Sequence, residues 1–319
     1  MLAEAPLNRE AILGLADTAA GTGSEAEALR ALERGLSRHP GHAGLLHRTQ
    51  RAQARLGTGA AAIEPLLARL AALKALDPAD CLVTADALFE ADAAGMADRL
   101  LAAAVALRTT HAGLWRKRIG LALRSGEADR VLALCDAAAA HLSDHAADLR
   151  MWRFQALNLL GRSQEVVDAV ADLSPEAVAG HPGMALQVAA AQAGLGFHAA
   201  AAETFGTIAA AHPGNQRAWS GRIDALRDAE DTTGALDACE AALAALRDPR
   251  PILLEKSELL HRLGRLDAAG ALLDDLIAAG DDSTRARLLR ARVLADAGQA
   301  EAAEAMLRAL LEDEPAHRG

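Results

Sequence analysis

Apolar residues recur along this chain at helical spacing, in pairs of short stretches separated by a turn. Trp115, Ile119 and Ala122 stand four and three apart, Gly126 interrupts, and Val131, Cys135 and Ala138 repeat the spacing. The layout returns with Trp219, Ile223 and Leu226 ahead of Ala235, Cys239 and Leu243, and with Leu253, Ser257 and Leu260 ahead of Ala269. Such spacing gathers the apolar groups on one face of each of two helices, so the pattern predicts helix, turn, helix. Glycine marks the period: Gly23, Gly57, Gly126, Gly161, Gly196, Gly264 and Gly298 lie 34, 69, 35, 35, 68 and 34 residues apart. Each doubled gap conceals a turn lacking its glycine, near Ala93 and at Glu230. Where glycine is present, it supplies the left-handed backbone that ends the first helix.

Nine units follow, 8–42, 43–78, 79–111, 112–147, 148–182, 183–215, 216–250, 251–283 and 284–316. None is long enough to bury a core alone, which predicts an all-α solenoid of about nine stacked helix–turn–helix repeats, running through residues 1–319 as a single array. Five residues after the turn stands a small or β-branched side chain, Ala28, Ala62, Val131, Val166, Ala201, Ala235, Ala269 or Ala303, where close helix contact is expected. Pro40, Pro213 and Pro315 are expected to stop second helices, with Pro78, Pro182 and Pro249 as displaced breakers. Three His-Pro-Gly runs, at His39, His181 and His212, are expected to cap the ends of second helices rather than bind metal.

Composition narrows the function. Aromatic residues make up 2% of the chain, tyrosine is absent, and no β-branched runs mark strands. Only Lys74, Lys117 and Lys256 among 33 basic residues are lysine, which points to a GC-rich, bacterial genome. Residues 1–160 hold 18 basic and 18 acidic groups, residues 161–319 hold 15 and 25, so a polyanion is repelled from the C-terminal half. Cys81, Cys135 and Cys239 are odd in number, widely spaced and set in helical patterns, as expected of core thiols in a reducing compartment. No leader peptide pattern or membrane-length apolar run occurs, and the expectation is a cytoplasmic protein without membrane insertion.

Catalytic patterns are missing. There is no His-Glu-x-x-His, no Cys-x-x-Cys and no serine at a strand-to-helix elbow. Gly21-Thr22-Gly23 lacks the preceding strand a dinucleotide loop requires. The expectation is a non-enzyme with no cofactor and no metal.

Trp115 and Trp219 before the turn, Ala201, Ala235, Ala269 and Ala303 after it, and the closing Pro40, Pro213 and Pro315 give the chain its resemblance to the tetratricopeptide repeat family. The resemblance covers the whole chain and weakens between Asp77 and Thr110. It implies a right-handed superhelix whose first helices line a concave groove that grips peptides or partner domains. Groove positions then follow the large first-helix residue by one, two, five, eight and nine. In the second unit they are His47, Arg48, Arg51, Ala54 and Arg55, and in the fourth Arg116, Lys117, Gly120, Leu123 and Arg124. Trp152, Gln155 and Asn158 occupy the fifth unit, Gln187 the sixth, Asp224 and Asp228 the seventh, Glu255 and Glu258 the eighth. The groove is expected to be basic N-terminally and acidic C-terminally, with Gly120 leaving room for a ligand backbone. Some relatives clamp a terminal carboxylate with lysine, asparagine and arginine; here the asparagines do not match.

The leading expectation is an adaptor that binds an acidic segment of a protein or peptide partner, or a partner's acidic surface, in the N-terminal groove, with room for a basic segment farther along. An alternative is the substrate-recruiting subunit of a modifying enzyme such as a glycosyltransferase or sulfotransferase. A third is an RNA-binding array, against which stand the net charge of −10 and the lack of a repeated polar code.

Overall fold

The structure, a computed structural model, describes residues 9–58, 60–73, 76–280 and 283–313. They form helices and turns, with no strand among the described residues. The chain divides into two compact units that part between Leu160 and Gly161.

The first unit contains α1 (Arg9–Gly21), α2 (Glu25–Arg38), α3 (Ala43–Arg55), α4 (Ala60–Leu73), α5 (Pro78–Glu90), α6 (Ala94–Leu107), α7 (Ala112–Arg124), α8 (Ala128–Ala139) and α9 (Ala146–Leu159). The second contains α10 (Ser163–Ala171), the short α11 (Pro175–Ala179), α12 (Pro182–Gly194), α13 (His198–Ala211), α14 (Gln216–Asp228), α15 (Thr232–Ala245), α16 (Arg250–Arg262), α17 (Leu266–Ala278), α18 (Thr284–Asp296) and α19 (Ala300–Asp313). Within each unit most helices pack on sequence neighbours, α10 packs on α12 beyond the short α11, and first helices also pack on first helices, as α3 does on α5.

All seven period-marking glycines have positive φ, between 64° and 81°. Glu230 holds the same conformation at φ 60° without being glycine. The other missing glycine is replaced by Asp92 at φ 58°, one residue before the Ala93 the pattern indicated. Proline acts partly otherwise than expected. Pro40 and Pro213 follow the ends of α2 and α13, whereas Pro78 and Pro182 open α5 and α12, where a missing amide hydrogen costs nothing. Pro315 lies outside the described residues.

The small second-helix positions are nearly all buried: Val131, Val166, Ala201, Ala235 and Ala269 are fully covered, while Ala62 is only half-buried. Leucine and isoleucine fill the first unit, with Leu45, Leu46, Leu100, Leu101, Leu114 and Ile119 inaccessible to solvent. Alanine dominates part of the second, where Ala201, Ala209, Ala218, Ala235 and Ala242 are inaccessible. Backbones approach closely there. A Cβ placed on Gly221 of α14 would come within 2.6 Å of the Phe205 ring of α13, so only glycine fits.

Capping is periodic. The side chains of His42, Asp77, His111, His181, Asn215 and Ser283 each accept from a backbone N–H in the first turn of a first helix. His181 therefore starts α12 through Nδ1, which accepts from Met184 N–H at 3.1 Å, instead of closing the preceding helix. His39 and His212 do sit at the ends of α2 and α13, where their backbone N–H groups continue the helical ladder. The indoles are tied alike, Trp115 Nε1–H donating to Thr109 O at 2.7 Å and Trp219 Nε1–H to Pro213 O at 2.8 Å.

Candidate functional site

Arg48, Arg51 and Arg55 project from α3, three and four residues apart, and line one cavity of about 400 Å3 in the first unit. Its walls are Ala16, Asp17, Ala20 and Gly21 of α1, Glu25, Ala28 and Leu32 of α2, and Val83 of α5. Three of the residues expected in the groove are therefore together. Two acids share the cavity: Arg48 holds Asp17 through Nε at 2.8 Å and Nη2 at 3.0 Å, and Arg55 holds Glu25 at 2.7 Å. The hydrogen bonds from Arg48 hold the Asp17 carboxyl below the usual range against the opposing effect of its partial burial. Arg51 is less well served. Its side chain is 14% exposed and its ion pair, to Asp80, spans 3.5 Å. Burial lowers its pKa, and the charge of Asp80 offsets this only in part.

His47 does not belong to that surface. It is fully buried against α5, its Nδ1 3.1 Å from Thr84 Oγ1, and burial pulls its pKa down to about 4. Gln50, one turn on, is also fully buried, as are Thr49 and Thr84. Leu45 and Leu46, also fully buried, precede His47, and α5 packs on this face of α3, which takes His47 into the core.

The fourth-repeat residues are dispersed. Lys117 of α7 reaches back to Asp86 of α5, Arg116 forward to Asp148 of α9 at 3.5 Å, and Arg124 lies 4.1 Å over the Phe89 ring. Gly120 does leave open space, with no heavy atom within 4 Å of a Cβ placed on it. Trp152, Gln155 and Asn158 are half-buried on α9 of the first unit, and Gln187 on α12 of the second.

Acidic positions of the second unit are also balanced locally. Arg227 bridges Asp224 at 2.6 Å and Asp228 at 3.2 Å, and Glu258 meets Arg285 at 3.4 Å. Glu255 is largely buried; burial raises its pKa, a hydrogen bond with Ser220 opposes the rise, and the nearby Asp224 charge adds to it. A second cavity, of about 360 Å3, carries Glu258 with Arg285 and Arg292, so the acidic stretch is mixed in sign where it opens.

A periodic cation escaped the sequence reading. Arg118, Arg153, Lys256 and Arg290 occupy equivalent first-helix positions and pair with Asp98, Asp136, Glu240 and Asp274 on the preceding second helix. Arg222, in the same register, packs over Gly206 instead. Spacing near the repeat length was the available signal; the partners were not visible, because they lie on another helix.

The three thiols are buried and free, and burial pushes each up to about 12, which leaves them un-ionised and unreactive near neutrality. Among the described residues no group of three or more His, Cys, Asp and Glu is placed to hold a metal ion. No described helix is long and apolar enough to cross a membrane.

Residues 226–293, from the end of α14 into α18, match the tetratricopeptide repeat family. No curated protein matches the chain. Among solved structures, a tetratricopeptide repeat protein from Parabacteroides merdae is 12% identical, with a TM-score of 0.49 over 89% of this chain and 98% of that one. The MamA 41-end from Desulfovibrio magneticus is 20% identical, with a TM-score of 0.44 over 53% of this chain and 96% of that one. The match lies where Glu230 and Gly264 turn two helix pairs of the repeating unit, and over those residues the chain is similar to tetratricopeptide repeats.

Proposed function

We propose that the chain is a non-catalytic interaction scaffold whose cavity under Arg48, Arg51 and Arg55 receives an acidic segment of a partner protein. One observation carries this reading: Arg51 is a largely buried guanidinium with five N–H donors and one long ion pair, and it faces a cavity holding three guanidiniums and two carboxylates. Asp17 and Glu25 hold Arg48 and Arg55 in place, and a carboxylate from outside adds to the single long contact that Arg51 has with Asp80. The weight falls on the second repeat rather than the fourth, since Lys117 and Arg116 are engaged with neighbouring helices. A reducing compartment suits the three free thiols.

The test is fluorescence anisotropy with a labelled peptide of alternating glutamate and leucine. Arg51→Met keeps the aliphatic bulk and removes the charge; it is expected to weaken binding at least tenfold with little change in melting temperature. Arg116→Gln is expected to bind as the parent does. Equal affinity of parent and Arg51→Met across a range of salt would refute the reading.

A further inference from the structure

In the second unit the regular alternation of helices breaks once. α10 has nine residues, whereas the second helices α13, α15 and α17 have 14, 14 and 13. At 1.5 Å per residue the shortfall is roughly 6 Å, more than one turn. The five-residue α11 follows in its place and lies against α12. The lost turn leaves a cleft of about 560 Å3 between α10, α11, α12 and α13, inside the roughly 300–1,000 Å3 range of ligand pockets.

Its walls are aliphatic: Val170, Leu173 and Val178 on one side, Pro182, Val188 and Ile208 on the other. The polar groups among its lining are mostly satisfied from within. Thr204 Oγ1 lies 2.8 Å from Gln192 Oε1, and Thr207 Oγ1 donates to Glu203 O at 3.1 Å. The Glu203 carboxylate is different, being exposed at the rim with no ion pair among the described residues. It belongs to the half of the chain, 161–319, with 15 basic and 25 acidic groups, so the surrounding field favours a cation.

We propose that this cleft is a docking site for a basic amphipathic segment of a partner protein, whose aliphatic side chains enter between α10 and α13 while a lysine or arginine beside them meets Glu203. This is the helix-in-groove mode of recognition, with apolar anchors for affinity and the rim charge for orientation. It is independent of the arginine cavity in the first unit, and its occupant has the opposite charge.

The probe is a fluorescein-labelled amphipathic peptide of leucine and lysine, about four helical turns long, measured by anisotropy. Saturable binding is expected, falling at least tenfold when its leucines become serine or its lysines glutamate. Ala171 and Ala211 line the cleft yet are exposed, so Ala171→Trp and Ala211→Trp fill it without entering the core. Each is expected to lose at least tenfold in affinity at an unchanged melting temperature. Glu203→Lys is expected to reduce the preference for the lysine peptide, and Arg51→Met to leave it untouched, which separates this site from the arginine cavity. Absence of saturable binding, equal binding by the serine peptide, or parental affinity in both tryptophan variants would overturn the proposal. So would self-association of the parent, in the absence of peptide, that Ala211→Trp abolishes, because the occupant would then be a second copy of this chain.

Discussion

Lys117 Nζ lies 2.9 and 2.7 Å from the two carboxylate oxygens of Asp86, 31 positions earlier, and Arg48 grips Asp17 across the same interval. The two pairs join neighbouring first helices in one register, which turns a run of cations into an inter-repeat clasp. Both partners of the Lys117 pair are about a third exposed, so solvent screens it. A double-mutant cycle of Lys117→Met and Asp86→Asn should give a coupling of about 0.2–1 kcal/mol that shrinks with added salt. A salt-independent coupling above that range would contradict the geometry.

Left-handed backbone at a non-glycine residue is costly, and the cost is local. Glu230→Gly and Asp92→Gly should each stabilise the fold by about 0.5–1 kcal/mol, the relief at φ 60° and 58° being partly offset by the greater freedom of glycine in the unfolded chain. Gly264→Ala, at φ 69°, should destabilise by about 1 kcal/mol. Urea titrations of the three variants give both signs.

Helix α7 begins on His111, whose Nδ1 accepts from Leu114 N–H at 3.3 Å. His111→Ala should lower stability by about 1 kcal/mol, and His111→Asn should restore it, because asparagine presents an acceptor at the same place. Equal loss in both variants would show that the ring acts by packing.

His47 makes the first unit acid-sensitive. Its pKa is about 4 in the fold and about 6.5 in the unfolded chain, so the unfolded state takes up the proton first as pH falls. The stabilisation from a neutral His47 is complete above about pH 6.5 and is lost as pH drops towards 4, by roughly 3 kcal/mol at most. His47→Gln, which does not titrate, should show a shallower decline over that window, measured by denaturant unfolding at successive pH values.

Ala235 has no accessible surface, and Ala235→Arg places a charge in a space sized for a methyl group. The expected loss is several kcal/mol, from overpacking and an uncompensated charge at about 1–3 kcal/mol or more each. A melting curve superimposable on that of the parent would mean that the assigned packing register is wrong.

Repeat length, helix pairing and turn position were legible in the sequence because they depend on local matters: a 3.6-residue period, a glycine free to adopt positive φ, a methyl-sized side chain where helices touch. Even the turn at Glu230 could be placed without its glycine, since the flanking apolar pattern continued. The first-helix face was legible only as a set of charges. That Arg48, Arg51 and Arg55 share a cavity, that Asp17 and Glu25 occupy it with them, and that Lys117 turns back to Asp86 follow from contacts between helices about 30 residues apart, whose register no local pattern records. His47 shows the limit most directly: its neighbour Arg48 differs from it by one position of helix rotation, and that rotation, set by packing on α5, sends one ring into the core and leaves one guanidinium at the cavity. The cleft beside Glu203 likewise exists because α10 stops early, and what a shortened helix leaves open is decided by the helices packed around it.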